Sequence, residues 1–120
     1  MSDAYEIFRS GTRLLESGDC HAATVPLSRA RDLEPGKASV REALGRALFG
    51  AQRYAEAATE FAAVVEQEPT NDYALFCLGR SLQLQGRHDE ARHPLALACC
   101  LCPERADYVH YRDIARRRAA

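Results

Sequence analysis

The tripeptides LEP, QEP and LCP end at Pro35, Pro69 and Pro103, and both intervals are 34 residues. The same period links Gly11, Gly45 and Gly79, and Ala23, Ala57 and Ala91. Large apolar residues follow it as well: Leu14, Leu48 and Leu82, then Leu27, Phe61 and Leu95. Coincident ladders at one spacing imply a chain built from copies of one small unit. Such a unit cannot bury its apolar face alone and must stack on its neighbours.

Within each unit the apolar spacing is helical and appears twice. In the third, Leu75, Leu78, Gly79 and Leu82 share one face, and Gly86 closes that helix. A second helix carries Ala91, Leu95, Ala98 and Leu101 inward and stops at Pro103. Gly79 and Ala91 are placed where the two helices cross, so a larger side chain at either would push the backbones apart. Ser39 and Glu42 form the pattern of a capping box for the second unit's first helix. Asn71 and Asp72 mark the matching start in the third. After Pro103, Tyr108, Val109, Tyr111 and Ile114 alternate with charge in a further amphipathic helix. Its arginines fall in the last turn, where they suit the helix dipole. A terminal helix with a polar outer face is what a stack needs to seal its core.

The stretch LGRSLQLQGRHDEARHPLALACCLCP carries Leu-Gly, the glycine before the turn, the alanines and the closing proline. LGRALFGAQRYAEAATEFAAVVEQEP matches almost as well, with Tyr54, Ala57 and Phe61 in place. The first copy is weaker, having Ser10 where the leucine belongs. On these residues the chain resembles the tetratricopeptide repeat family. The resemblance implies an all-α fold: a right-handed α-solenoid of three helix-turn-helix repeats plus a capping helix, seven helices in all. One domain over 1–120 is expected, with repeats at about 4–37, 38–71 and 72–105 and the cap at about 106–118. Two departures stand out. Arg41 occupies a position usually large and apolar, so loose packing is expected there. Pro26 and Pro94 recur two periods apart inside second helices, which implies a tolerated kink on an outward face.

In such proteins the first helices line a concave groove that binds peptides. Carried over to this chain, the groove columns run Tyr5, Ser39, Tyr73, Asp107; Phe8, Glu42, Phe76, His110; Thr12, Arg46, Arg80, Ile114; and Leu15, Phe49. The resemblance therefore implies peptide-binding residues Tyr5, Phe8, Thr12, Arg46, Phe49, Tyr73, Phe76, Arg80 and His110. Aromatic rings beside arginines have the composition of binding hot spots. Tyr5 and Phe8 could equally fill gaps between helices, and Glu42 is assigned to its capping role. The carboxylate clamp that one subclass uses on heat-shock chaperone tails is absent, since its positions hold Phe8, Thr12, Ala43, Tyr73 and Cys77.

Composition narrows the alternatives. A formal net charge of -1 gives no bulk attraction to nucleic acid or acidic lipid, and the arginine triplet Arg116–Arg118 is a fraying terminus. No apolar run approaches the length of a bilayer span, and Asp3 and Glu6 stand where a signal peptide would be basic. Five cysteines (Cys20, Cys77, Cys99, Cys100, Cys102) without framework spacing read as free thiols in a reducing cytoplasm. A metal or redox role, with His88 or His93 as extra ligands, lacks a second cysteine pair. Cys99 is expected in the core, with Cys100 and Cys102 nearer the surface. No phosphate loop, metalloprotease motif or nucleophile–base pair is present. The expectation is a non-enzymatic adaptor or chaperone-like module without metal or cofactor. Its partner would be a protein or peptide offering apolar anchors and an acidic group, not nucleic acid or membrane. The alternative is a self-associating scaffold.

Overall fold

The computed structural model describes residues 3–119, so Met1, Ser2 and Ala120 of the expected domain lie outside the described residues. Seven helices follow one another: α1 (Ala4–Glu16), α2 (Cys20–Leu33), α3 (Ala38–Gly50), α4 (Tyr54–Gln67), α5 (Asp72–Gln83), α6 (His88–Leu101) and α7 (Ala106–Ala119). There is no strand among the described residues. Each helix packs on its neighbours in the chain, and α1 also touches α3 as α5 touches α7. The result is a rod of 52 × 24 × 22 Å with first helices along one side.

The ladders meet one another inside the pairs. A Cβ placed on Gly79 would sit 2.4 Å from Leu95 Cγ, and one on Gly11 would sit 2.6 Å from Leu27 Cγ. On Gly45 it would fall 2.9 Å from Phe61 Cζ. Thus the glycine of each first helix is the socket for the large residue of the second. Leu27, Phe61 and Leu95 are all fully buried, as are Ala23, Ala57 and Ala91. Each such large side chain contributes about 1.5–3 kcal/mol through burial. That contribution depends on the backbones approaching this closely.

Three of the seven helix starts are capped from the side chain. Asp3 Oδ1 accepts from Glu6 N at 2.9 Å, Asp19 Oδ1 from Ala22 N at 3.2 Å, and Asn71 Oδ1 from Ala74 N at 3.0 Å. The expected Ser39–Glu42 box does not form. α3 begins before Ser39, at a Lys37 N-cap without a side-chain bond, and Glu42 instead accepts from Asn71 Nδ2 at 3.2 Å. Asn71 therefore caps α5 and holds Glu42, so a contact between repeats replaces a local one.

The turn inside each repeat contains one residue of positive φ: Gly18 at 88°, Gln52 at 64° and Gly86 at 77°. These also stand 34 residues apart, and only the middle repeat places a side chain there. A left-handed conformation costs a non-glycine residue about 1–2 kcal/mol. Glycine's extra chain entropy recovers part of that difference. Gln52→Gly should therefore raise the unfolding free energy by about 0.5–1 kcal/mol, read as a higher urea midpoint at unchanged m-value.

Four expectations are corrected. Leu101, expected in the core, is 42% exposed. It ends α6, and Tyr108 of α7 packs over Ala98 and Cys99 instead. Pro94 does not face outward but is buried, and α6 runs through it without a break. Its ring helps line a channel between α4 and α6 with Ala58, Ala62 and Leu82. Pro26 is half-buried within an equally continuous α2. Nor is the packing at Arg41 loose, because the guanidinium donates to Pro35 O at 2.8 Å and pairs with Glu60 Oε1 at 3.0 Å. Arg31 holds the other Glu60 oxygen at 2.7 Å. An Arg–Glu–Arg triad thus fills the place of an apolar side chain and ties α2, α3 and α4 together.

Candidate functional site

Along the side formed by the first helices lies a cavity of about 640 Å³. α3 contributes Arg46, Phe49 and Gly50, and α5 contributes Tyr73, Phe76, Cys77 and Arg80. Leu15 of α1 stands at one end, with Asp107 and Tyr111 of α7 at the other. The second helices enter only through Cys20 and Phe61. Gly50 is required here: a Cβ on it would lie 2.3 Å from Cys20 Sγ.

Five of the nine candidate residues are brought together: Arg46, Phe49, Tyr73, Phe76 and Arg80. The other four lie outside the lining. Tyr5 is 60% exposed near the start of α1, with the Arg9 guanidinium 5.8 Å from its ring. Phe8 packs against the core between the first two repeats, so its gap-filling role is the one adopted. Thr12 donates its hydroxyl to Arg9 O at 3.0 Å, and His110 stands edge-on to Tyr111 at 4.8 Å. The groove begins further along the stack than the column projection suggested, because no helix precedes α1 among the described residues to form its opposite wall. Tyr111 and Cys77 were not among the candidates. Their one-period spacing, next to the column that holds Phe76 and His110, was the available signal.

The C-terminal half of the groove is held by interactions of its own. The Phe76 ring stacks on Tyr108 at 4.6 Å and leans on Tyr111 at 5.8 Å. The Arg80 guanidinium lies over the Tyr111 ring, 3.8 Å from its centroid, and donates to Gln83 Oε1 at 3.0 Å. Gln83 in turn donates to the Tyr111 carbonyl at 2.8 Å. The buried Tyr108 hydroxyl donates to Asp72 Oδ2 at 2.7 Å. Burial and that carboxylate push the Tyr108 phenol up, and the same bond pulls Asp72 down. Near the centre, burial pushes Tyr73 up to about 12 and Cys77 up to about 11. Both therefore remain neutral at physiological pH, presenting a phenol and a thiol rather than charges.

A socketed glycine and a row of first-helix side chains along one side recur every 34 residues. The tetratricopeptide repeat model matches residues 8–72 and again 42–106. The chain belongs to the tetratricopeptide repeat family. That membership places it among protein–protein interaction modules. Solved structures agree in shape. YrrB, described as a TPR protein with an unusual peptide-binding site, superposes with a TM-score of 0.86 at 25% identity, covering 94% of this chain. MamA from Desulfovibrio magneticus RS-1 gives 0.91 at 21% identity over 98% of this chain. The chain spans 58% of the length of YrrB and 66% of that MamA chain. The first TPR of Spaghetti, bound to the HSP90 peptide SRMEEVD, gives 0.86 at 15% identity, covering 96% of this chain and 91% of its own. At that identity the likeness is one of fold. No curated protein matches the chain significantly.

In this tetratricopeptide repeat chain the cysteines are distributed by helix face. Cys99 is buried, Cys100 exposed and Cys102 half-buried. Among the described residues no three His, Cys, Asp or Glu side chains converge as a metal site would need. No described helix is long and apolar enough to cross a membrane.

Proposed function

We propose that the whole chain acts as one adaptor or chaperone-like binding unit that takes a short extended peptide segment of another protein into its concave groove. The observation that carries this reading is the groove lining: Phe49, Tyr73 and Phe76 supply ring surface beside two arginines on rigid helices. Aromatic and arginine side chains in a concave, partly desolvated site are the composition of interaction hot spots. Tyr73 keeps 39% of its surface exposed, so it is available to an incoming apolar side chain. That YrrB, similar in shape, has a peptide-binding site supports a peptide ligand.

Phe76 is a poor probe of binding, because its ring also holds α7 through Tyr108 and Tyr111. Removing it would loosen the fold. Tyr73→Ala is the cleaner variant. A library of acetylated, amidated peptides of about ten residues, which reach roughly 33 Å when extended, provides the probe. Peptides selected on the wild type should lose about 30-fold in affinity on Tyr73→Ala, the loss of a hot-spot side chain. Circular dichroism should be unchanged. A library with no enrichment, or equal affinity for the variant, would sink the reading. Light scattering that shows mass rising with concentration would favour the scaffold alternative.

A further inference from the structure

We propose that Arg46 is the groove's reader of an internal aspartate or glutamate side chain in the bound segment, and that Arg80 is part of the wall. This deepens the peptide-binding reading and rests on it. The two arginines stand one repeat apart and look equivalent in sequence, but the structure separates them. Arg80 is committed twice, to the Tyr111 ring at 3.8 Å and to Gln83 at 3.0 Å. Arg46 is exposed and forms no salt bridge or hydrogen bond among the described residues.

Its ordinary partner has been diverted. Glu42 lies one turn earlier on α3, in the orientation that favours a Glu–Arg pair. Instead Glu42 accepts from Asn71 Nδ2 at 3.2 Å. The acid in the lining, Asp107, is held by Arg105 at 2.8 Å. Among the charged residues of the lining, Arg46 is therefore the one left without a bonded partner among the described residues. Burial is the largest influence on Tyr73 and Cys77; beyond it, Arg46 lowers both and Glu42 raises both, so both charges stand near the groove's centre.

Position decides which carboxylate fits. Arg46 lies between Leu15 at one end of the lining and Tyr111 at the other. A segment ending in a terminal carboxylate at Arg46 would leave half of the lining uncovered. An internal acidic side chain lets the segment continue both ways, toward Leu15 and toward Tyr73 and Phe76. The partner chemistry is therefore an extended segment with an acid at its centre and apolar residues beside it.

The test uses the full chain and the amidated peptide library, with a second arm of peptides bearing free C-termini. The wild type should enrich Asp or Glu at one internal position, and Arg46→Glu should replace that preference with Lys or Arg. Arg46→Gln should weaken an acidic peptide about tenfold while its Asn/Gln counterpart changes little, the pattern of a lost charge pair. Arg80→Gln should weaken both peptides by one common factor. Enrichment without an acidic position, an acid preference that survives Arg46→Glu, or selection only of free C-termini would each overturn the assignment while leaving peptide binding intact. Absence of any enrichment on the wild type would overturn both.

Discussion

Glu60→Ala should lower the unfolding free energy by about 2–4 kcal/mol, the largest single effect expected on this chain. The Glu60 side chain is only 5% exposed and carries both arginines, Arg31 at 2.7 Å and Arg41 at 3.0 Å. Truncating it leaves two neighbouring guanidiniums without their shared carboxylate, with Arg31 keeping Asp32 at 3.0 Å and Arg41 keeping Pro35 O at 2.8 Å. They keep 28% and 21% of their side-chain surface in water, so part of the penalty is relieved by solvation. The loss should concentrate at the junction of the first two repeats, because the triad spans α2, α3 and α4. Amide exchange should show α1 and α2 opening before α5 and α6. Urea denaturation of the triple variant Arg31→Met, Glu60→Leu, Arg41→Leu is the decisive comparison. Replacing the whole triad with apolar side chains should recover most of the stability that the single change removes. A single variant as stable as the wild type would mean the triad does not hold the repeats together.

Gly79→Ala should destabilise by about 1–3 kcal/mol through overpacking, against the usual gain of about 1 kcal/mol for alanine over glycine in a helix. The added carbon would sit 2.4 Å from Leu95 Cγ and 2.6 Å from Cδ2, and Leu95 is fully enclosed. The control is Gly36→Ala, where a Cβ would meet nothing within 4 Å. It should stay within about 0.5 kcal/mol of the wild type. Combining Gly79→Ala with Leu95→Val should cost less than the sum of the two, because the shortened side chain vacates the contested space. Additive costs would show that the glycine serves another purpose.

The repeat period was legible because it is enforced by sterics between residues about sixteen apart, as with Gly11 and Leu27 or Gly79 and Leu95. A glycine and its plug must both be present in every copy, so both leave a ladder in the sequence. Features set by contacts between copies left no such trace. Glu42 reads locally as part of a cap, yet Asn71 captures it from the next repeat. Arg41 reads as a packing defect until Glu60 and Arg31 are seen around it. Leu101 carries the right helical phase but lies where α7 does not reach. Of the groove columns implied by the family resemblance, Arg46, Phe49, Tyr73, Phe76 and Arg80 line one cavity. Tyr5, Phe8, Thr12 and His110 lie outside that lining.

Phe76 touches the groove with one part of its ring and the terminal helix with another. Tyr108, stacked on it, is tied through its hydroxyl to Asp72 at the opposite end of α5's first turn. Whatever presses on Phe76 from the groove therefore bears on the element that closes the stack. Occupancy of the concave face and fraying of the chain's last helix draw on one shared surface, so their free energies are coupled. In this protein the concave surface also acts as the clasp.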